Sequence, residues 1–301
     1  SAPFGGVQFL MCGDFLQLPP INDEFLFTHP LWGYMLPAVV VLTTVHRTKD
    51  QEFAELLQRV RVGMHTKADV EFLNQHTANK LEGSPVVLHS HNAKVDAFNE
   101  MKLQELEGGE HVFHAKDTGE QGPLKSLEKS CITPKVLVLK EGARVMLTKN
   151  VDLDGGLCNG SCGEVTELGK NKIVVEWDNY GRMTMEHAAW EITDTVTRDV
   201  LARRSQYPLK LAWAVTIHKS QGMTLDCADI YLGRCFAPGQ AYVALSRMSN
   251  SKGMRLSSFK PSCIKVASTA LAFYQNPTSP DKWCKKPVET PAAGGDPLGM
   301  L

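Results

Sequence analysis

Short apolar runs alternate with amphipathic helical patterns over the first part of the chain. Apolar residues recur at three- and four-residue spacing between residues 51 and 60, which predicts an amphipathic helix. A second such pattern lies at 70–73, and the run Val-Val-Leu at 86–88 predicts a strand ahead of a helix at 92–106. Because strands that are joined through helices run parallel, this alternation predicts an α/β fold built on a parallel sheet.

Two further strands are predicted near the start of the chain. Residues 7–12 form a continuous apolar run that ends in Gly13-Asp14, which is typical of a buried parallel strand with polar groups at its carboxyl end. The β-branched run at 39–42 predicts another strand, and Pro19-Pro20 ends regular structure between the two. We therefore expect Asp14 at the edge of the sheet where α/β proteins bind their ligands.

The pattern changes at about residue 142. Short runs separated by Gly, Asn and Asp turns predict strands at 143–147, 163–168, 173–177 and 182–185. Their spacing is typical of a small, mainly antiparallel β-barrel, and we expect Trp177 and Trp190 in its core.

Apolar runs return after this segment, at 209–215 and 228–232, and helices are predicted at 239–246 and 265–274. Trp213 is expected in the core rather than on a base-stacking surface. Cys158 and Cys162 lie four residues apart, but no second close cysteine pair completes a structural zinc site. No metal site is therefore predicted from the cysteines.

Composition limits the classes of function. With 32 basic and 33 acidic side chains, the net charge is -1, so the chain has no overall basic surface of the kind that coats nucleic acid. The eight cysteines are scattered, which indicates reduced intracellular thiols rather than a secreted disulfide framework. No apolar run reaches the roughly 18–20 residues that span a bilayer, and no signal peptide is visible.

Residues 13–20 read Gly-Asp-Phe-Leu-Gln-Leu-Pro-Pro and place a carboxylate and an amide after a predicted strand. In that position Asp14 is suited to a metal-bound water, and the amide of Gln17 is suited to a terminal phosphate. The alternative without a ligand is a buried strand that ends in an Asx-type turn.

Two arginines are candidates for phosphate binding, because a guanidinium pairs with phosphate in a bidentate manner that lysine cannot match. Arg47 follows the predicted strand at 39–42, and Arg247 closes the string Gly-Gln-Ala-Tyr-Val-Ala-Leu-Ser-Arg at 239–247. The alternatives are an exposed arginine at a helix start and an ordinary amphipathic helix.

Residues 216–222 read Thr-Ile-His-Lys-Ser-Gln-Gly and follow an apolar run. Hydroxyl, imidazole and amide groups close together offer donors for phosphate oxygens, and Gly222 allows the backbone to approach a ligand. His91 and Asn92 lie in a second strand-to-helix turn, where such residues also cap helices generically.

In this order the segments at 13–20, 216–222 and 239–247 resemble motifs III, V and VI of superfamily-one DNA helicases of the Pif-type, RecD-like branch. The resemblance extends from Phe4 to about Ser257 and implies RecA-like parallel sheets with an inserted barrel. The implied organisation begins with the end of a first RecA-like domain at 1–45. A second RecA-like domain follows in two parts, at 46–140 and 208–275, with a Src-homology-like barrel between them at 141–207. A disordered tail is implied at 276–301.

The resemblance also implies roles for single residues. Gln17 senses the terminal phosphate, Arg47 reaches the γ-phosphate, and Arg247 is the second arginine finger. The residues beside Arg47, His46 and Thr48, depart from the usual Phe-Arg-Gln. The catalytic residues implied are these three. The implied ATP-binding set is Gly13, Asp14, Gln17, Arg47, Gly222, Gln240 and Arg247. The implied DNA-binding set is His91, Asn92, Asn159, Thr216, His218, Lys219, Ser220 and Gln221.

The implied activity is ATP-dependent, 5′-to-3′ DNA unwinding with ATP and Mg²⁺ as cofactors. Single-stranded and forked or structured DNA are the implied partners, and no membrane partner is implied. The implied protein is a monomer, located in the nucleus or mitochondrion of a eukaryote. Its implied roles are telomere maintenance, DNA repair and recombination. The sequence contains no G-x-x-x-x-G-K-[ST], so we expect no ATP turnover by this chain alone. The alternatives are a non-enzymatic remnant that binds single-stranded DNA or a partner protein, and a RecD-type exonuclease subunit. A small-molecule enzyme on a doubly wound sheet would need a Gly-rich cofactor loop, which is missing.

Overall fold

The computed structural model describes residues 3–21, 23–36, 38–45, 47–81 and 85–277. His46 and residues 278–301, which make up most of the predicted disordered tail, lie outside the described residues. The chain forms two compact units, of which the first contains residues 1–83 and 217–301 and the second contains residues 84–216.

The helices are α1 Trp32–Met35, α2 Gln51–Arg61, α3 Lys67–Gln75, α4 Asn92–Glu105, α5 Gln121–Ser130, α6 Gln240–Leu245 and α7 Ser268–Gln275. The strands are β1 Val86–His89, β2 His111–His114, β3 Lys116–Gly119, β4 Val136–Leu139, β5 Arg144–Leu147, β6 Cys162–Gly169, β7 Lys172–Trp177, β8 Gly181–Thr184, β9 Ala188–Thr193, β10 Val200–Gln206, β11 Leu209–Leu211, β12 Ala214–Thr216, β13 Ala228–Tyr231 and β14 Met254–Ser258.

Among the described residues, the first unit contains a parallel strand pair and five α-helices, which are α1, α2, α3, α6 and α7. Strands β13 and β14 pair in parallel, with Ala228 opposite Met254. Helix α2 begins at the cap Asp50, whose carboxylate accepts from the backbone N–H of Phe53 at 3.1 Å. Helix α3 begins with a capping box between Thr66 and Asp69. These local signals fix where each helix starts.

Helix α7 packs into an aromatic cluster with the early part of the chain. Phe273 stacks on Phe27 with ring centroids 4.6 Å apart and meets Phe15 edge-on at 5.2 Å. Leu16 and Phe27 are fully buried in the same cluster. Such ring contacts add to the burial of apolar area, so they tie the segment after Asp14 to the last helix.

The second unit combines one parallel pair with antiparallel sheets. Strands β1 and β12 are parallel, and Asn99 of α4 bonds the backbone N–H and C=O of Ala214 at 2.8 and 3.0 Å. A five-stranded antiparallel sheet has the order β11-β5-β6-β7-β8, and a three-stranded one has the order β3-β10-β9. Strands β2 and β4 pair beside them.

The strands predicted at 143–147, 163–168, 173–177 and 182–185 are confirmed within two residues as β5 to β8. Trp177 is buried in the core of this unit, as expected, and Trp213 packs against it. Trp190 is different, because it is only partly buried in β9 at the edge of its sheet, where the Lys149 ammonium lies 5.6 Å from its ring centroid. A tryptophan over a cation at a sheet edge keeps part of its ring in water.

The strands predicted at 7–12 and 39–42 are wrong. Neither run is a strand, and most of their apolar side chains are exposed, with Leu10 at 86% and Leu42 at 89%, whereas Val39 is half-buried. Backbone N–H and C=O groups in a strand need a neighbouring strand, and the part of the chain that the structure describes places none beside these runs. The apolar pattern predicted burial, whereas in the structure these runs are largely exposed.

No helix among the described residues is long and apolar enough to cross a membrane.

Candidate functional site

The carboxylate of Asp14 is held by a long-range ion pair. Arg61, the last residue of α2, donates from Nε and Nη2 to the two carboxylate oxygens at 3.0 and 2.8 Å. The Tyr274 hydroxyl of α7 donates to the same group at 3.1 Å, and its ring lies 4.6 Å from the Arg61 guanidinium. Burial raises the pKa of Asp14, but the hydrogen bonds and charge of Arg61 outweigh it and lower that pKa. Asp14 is therefore an anchor for its loop.

The loop after Asp14 is a tight turn, as the Asx-type alternative predicted. The backbone N–H of Leu16 donates to the Asp14 carboxylate at 3.1 Å, and that of Gln17 donates to the Asp14 carbonyl at 3.1 Å. The turn leaves the Gln17 side chain half-buried. A metal-bound water on Asp14 stays a prediction, but in the structure both oxygens of the carboxylate already have a cationic partner.

Gln17 brings the three sequence segments together. Its Oε1 accepts from Nε2 of Gln221 at 3.0 Å. Its backbone carbonyl lies under Gly239, where an added Cβ would stand 2.1 Å from the oxygen, and Gly239 has φ +72°. Only glycine fits both the conformation and the space at this point. The segments at 13–20, 216–222 and 239–247 therefore meet at one place in the first unit.

Arg247 is a buried cation. Its side chain is 2% exposed and donates to the carbonyl of Val243 at 2.9 Å and to the Ser246 hydroxyl at 2.9 Å. Burial and the nearby charge of Arg47 lower the pKa of Arg247 to about 10, so the guanidinium remains charged at neutral pH.

Arg47 lies beside it and is exposed. It donates from Nη1 to the Ser246 carbonyl at 2.8 Å and from Nε to the Thr224 hydroxyl at 3.3 Å. Among the described residues, no carboxylate forms an ion pair with Arg47 or Arg247. Two guanidinium groups with only neutral partners form a site that favours an anion.

Tyr242 of α6 marks the centre of this cluster. Burial raises the pKa of its hydroxyl, and the Asp14 charge adds to the rise. Three arginines act on the same hydroxyl in the opposite direction: Arg61, Arg247 and Arg47. The site is thus a set of three arginines with a single carboxylate.

Arg61 and Tyr274 are the members that sequence reasoning missed. They lie 47 and 260 residues from Asp14 in sequence. Arg61 ends an amphipathic helix and Tyr274 ends an apolar one, so both look like ordinary surface positions in the sequence. No local signal links either to residues 13–20.

The remaining phosphate-site candidates have different surroundings. Gln240 is fully buried, and its Oε1 accepts from the backbone N–H of Phe236 at 3.0 Å, so it supports the loop ahead of α6. Gly222 has φ +90° with open space around its Cβ position, and Gly13 is also open. Gly222 and Gly13 therefore leave room for a ligand, whereas Gln240 acts within the protein.

Comparisons with known proteins identify relatives of this chain. The family described as DNA helicase Pif1, 2B domain matches residues 124–168. The human ATP-dependent DNA helicase PIF1 is 39% identical over 292 residues, covering 91% of this chain and 44% of that protein. The crystal structure of the Pif1 helicase from Candida albicans superimposes with TM-score 0.79 at 32% identity, covering 91% of this chain and 69% of that one.

The chain belongs to the Pif1 helicase family. A Bacteroides Pif1 helicase in complex with ADP-AlF3 and ssDNA is also similar, with TM-score 0.72 and 30% identity over 91% of this chain and 68% of that one. The parallel pairs β1–β12 and β13–β14 thus belong to a RecA-like α/β fold. The chain spans less than half the length of the human Pif1 relative.

The predicted DNA-binding residues of this Pif1 family chain lie in both units. In the first unit Lys219 is exposed and His218 is half-buried, with its ring nearly parallel to that of Phe236. Ser220 is fully buried and donates to the Ile217 carbonyl at 2.8 Å, so its hydroxyl already has a partner. Gln221 uses its amide on Gln17.

The other four DNA-binding candidates belong to the second unit. His91 precedes the first turn of α4, its Nδ1 lies 2.8 Å from the Ser90 hydroxyl, and both His91 and Asn92 are exposed. Asn159 is exposed, and its backbone N–H donates to the Asn150 side chain at 2.8 Å. Thr216 is buried at the end of β12.

Proposed function

We propose that the chain supplies the arginine-bearing part of an ATP-dependent 5′-to-3′ DNA helicase of the Pif1 type. The observation that carries this proposal is Arg247, a buried guanidinium that pairs with no carboxylate of the described residues and lies beside a second guanidinium, Arg47. A buried charge is unfavourable unless an opposite charge reaches it, and a nucleotide phosphate supplies that charge together with several oxygen acceptors for two arginines.

In this proposal each residue has a defined task. Arg47 and Arg247 bind the terminal phosphate of ATP and stabilise the charge that develops on the transferred phosphoryl group. Gln17 senses that phosphate and passes its presence to Gln221 through their shared hydrogen bond. Gly13 and Gly222 leave space for the nucleotide.

The nucleotide fits the residues present, whereas Mg²⁺ does not find a carboxylate here. Asp14 is the carboxylate of the cluster, and Arg61 holds both of its oxygens. We therefore assign no side chain of the described segments to the metal ion. The printed sequence contains no P-loop motif that would supply a phosphate-binding lysine of the kind used by P-loop enzymes.

We further propose that residues 141–207 form the inserted small barrel and that the strand of DNA contacts both units. Support comes from the five-stranded antiparallel sheet, from the exposed Lys219, His91 and Asn159, and from the similar Bacteroides Pif1 helicase, whose structure contains ssDNA. The DNA partner is single-stranded or forked, and the protein acts as a monomer.

The test uses a longer polypeptide that adds a P-loop and metal-binding carboxylates before Ser1, from the same gene or from a family relative. DNA-stimulated ATPase and unwinding of a duplex with a 5′ single-stranded tail are measured. Arg247→Ala is expected to lower kcat by about 10³-fold or more while single-strand affinity is kept. Arg203→Ala removes an exposed arginine of the second unit and serves as the control. Equal rates for Arg247→Ala and Arg203→Ala would refute the assignment.

A second candidate function is single-strand binding without turnover. The observation in its favour is the missing G-x-x-x-x-G-K-[ST] in the printed sequence. The extended polypeptide distinguishes the two, because DNA-stimulated ATPase there supports the helicase and single-strand binding without turnover supports this candidate. The printed chain alone is expected to bind single-stranded DNA and to show no ATPase, and turnover that is abolished by Arg247→Ala would contradict this.

A further inference from the structure

Phe236 presents an exposed ring on a fixed loop. Its side chain is 55% exposed, and it precedes α6 in the first unit. The backbone around it is held at three points: the Phe236 N–H donates to Gln240 at 3.0 Å, Lys265 Nζ donates to the Cys235 carbonyl at 3.3 Å, and the Gly239 N–H donates to the Lys265 carbonyl at 2.8 Å. The loop is therefore built to hold this ring at the surface.

The neighbouring ring belongs to His218. The two rings are nearly parallel, with an interplanar angle of 17° and centroids 6.0 Å apart, which is an offset stack. Burial lowers the pKa of His218, so the imidazole is mainly neutral at pH 7 and presents a flat π surface. The pair forms a stepped aromatic surface with one ring half-buried and the other open.

A positive charge lies next to this pair in sequence. Lys219 follows His218 and is exposed. Open aromatic rings close to a backbone-binding cation are the combination by which proteins hold single strands, because every base has a π face and every nucleotide carries a phosphate. A lone exposed phenylalanine needs no explanation, but one on an anchored loop, stacked on a second ring beside a cation, does.

We propose that Phe236, supported by His218, is a stacking platform for a base of single-stranded nucleic acid. Lys219 binds the phosphate next to that base. The platform is tolerant of base identity, because stacking uses the ring face rather than base-edge hydrogen bonds. This inference rests on the proposed single-strand binding and adds the residue that contacts the base.

The test is a binding titration of the printed chain by fluorescence anisotropy. Two oligonucleotides of about 15 nucleotides are compared, one of oligothymidylate and one with the same backbone made of abasic sites. The wild-type chain is expected to bind the oligothymidylate about tenfold more tightly than the abasic strand. Phe236→Ala is expected to lose about tenfold for oligothymidylate and nothing for the abasic strand, and Phe236→Trp is expected to keep wild-type discrimination.

Tyr34→Ala is the matched control, because Tyr34 is an exposed aromatic residue of the same unit. It is expected to change neither affinity, and thermal unfolding checks that each variant is folded. Equal losses of Phe236→Ala on both strands, or no loss, would overturn the platform while leaving single-strand binding intact. Absence of binding by wild type to either strand would overturn the proposed function and the platform with it.

Discussion

At the scale of single residues, the site depends on how each charge is compensated. Asp14 and Arg61 neutralise each other, whereas Arg47 and Arg247 have only neutral hydrogen-bond partners. The first pair fixes the position of a loop, and the second leaves positive charge for a ligand. Because the neutralised pair and the two uncompensated arginines are different residues, one small cluster can be both rigid and receptive to an anion.

Asp14→Asn is expected to destabilise the chain by about 2 kcal/mol, because it leaves the partly buried Arg61 without its anion. Tyr274→Phe removes a single hydroxyl and is expected to cost about 1 kcal/mol. The free energy of unfolding in urea measures both. A loss for Tyr274→Phe as large as that for Asp14→Asn would show that the hydroxyl, not the ion pair, holds the loop.

Two glycines with positive φ make a matched pair for the packing of Gln17. An alanine Cβ at Gly239 would lie 2.1 Å from the Gln17 carbonyl oxygen, whereas at Gly222 it would meet nothing within 4 Å. Gly222→Ala is expected to cost about 1 kcal/mol from backbone strain alone. Gly239→Ala is expected to cost clearly more, since the backbone must also move. Equal midpoints in urea for the two variants would contradict this contact.

At the scale of elements, the sequence predicted those that carry a local pattern better than those that depend on tertiary partners. The periodic pattern at 51–60 corresponds closely to α2, because an amphipathic helix carries its own pattern, and the helix predicted at 92–106 corresponds closely to α4. Strand β10 escaped prediction, since it carries Arg204 pointing inward at 1% exposure. Asp117 and Glu128 compensate that charge, and a search for apolar alternation cannot see such a pairing.

The candidate site divides in the same way. The residues Gln17, Arg47 and Arg247 were predicted because they lie in recognisable strings. Arg61 and Tyr274 were not predicted, because they join the cluster only through contacts far apart in sequence. Sequence strings predict groups for ligand binding, and they say little about the groups that hold those in place.

The start of α3 offers a test with pH. The Arg59 hydrogen bonds, followed by those of Thr66, lower the pKa of Asp69 to about 2 from 3.8, and its side chain is 4% exposed. The unfolded chain therefore binds this proton more strongly than the folded one, so the contribution of Asp69 is complete above pH 3.8 and is lost as pH falls towards 2.

Asp69→Asn is expected to lower stability at pH 7 by about 1 kcal/mol or more and to flatten the acid side of the stability curve. Urea titrations between neutral pH and pH 2 measure it, with Asp23→Asn, an exposed carboxylate, as the control. An unchanged acid slope in Asp69→Asn would show that the capping carboxylate is not the group that titrates.

At the scale of the whole molecule, the apolar runs at 7–11 and 40–42 stand out because they are exposed. Their pattern is that of buried strands, and their surroundings are water. Pif1 relatives are longer than the printed sequence, which covers 44% of the human one. Burial of these runs is a property that a longer polypeptide can supply.

Hydrogen exchange is expected to show this directly. In the printed chain, amides at 7–11 and 40–42 should exchange within seconds, because no ladder hydrogen bonds protect them, whereas those of β13 should be protected. Extension of the chain by a P-loop segment should slow exchange in both runs. Protection equal to that of β13 in the printed chain would show that the runs are already paired.

The contact between Gln17 and Gln221 gives the loop at 13–20 two unlike ends. Its first end is held by an ion pair. Its other end is held by a neutral hydrogen bond between two side-chain amides, which contributes only about 1 kcal/mol. A single new contact from a ligand is enough to undo the weak tie, and its loss is enough to restore it. The Gln17 side chain can therefore be released and recaptured by Gln221, while the Asp14–Arg61 ion pair and the buried Leu16 keep the backbone of the loop in place.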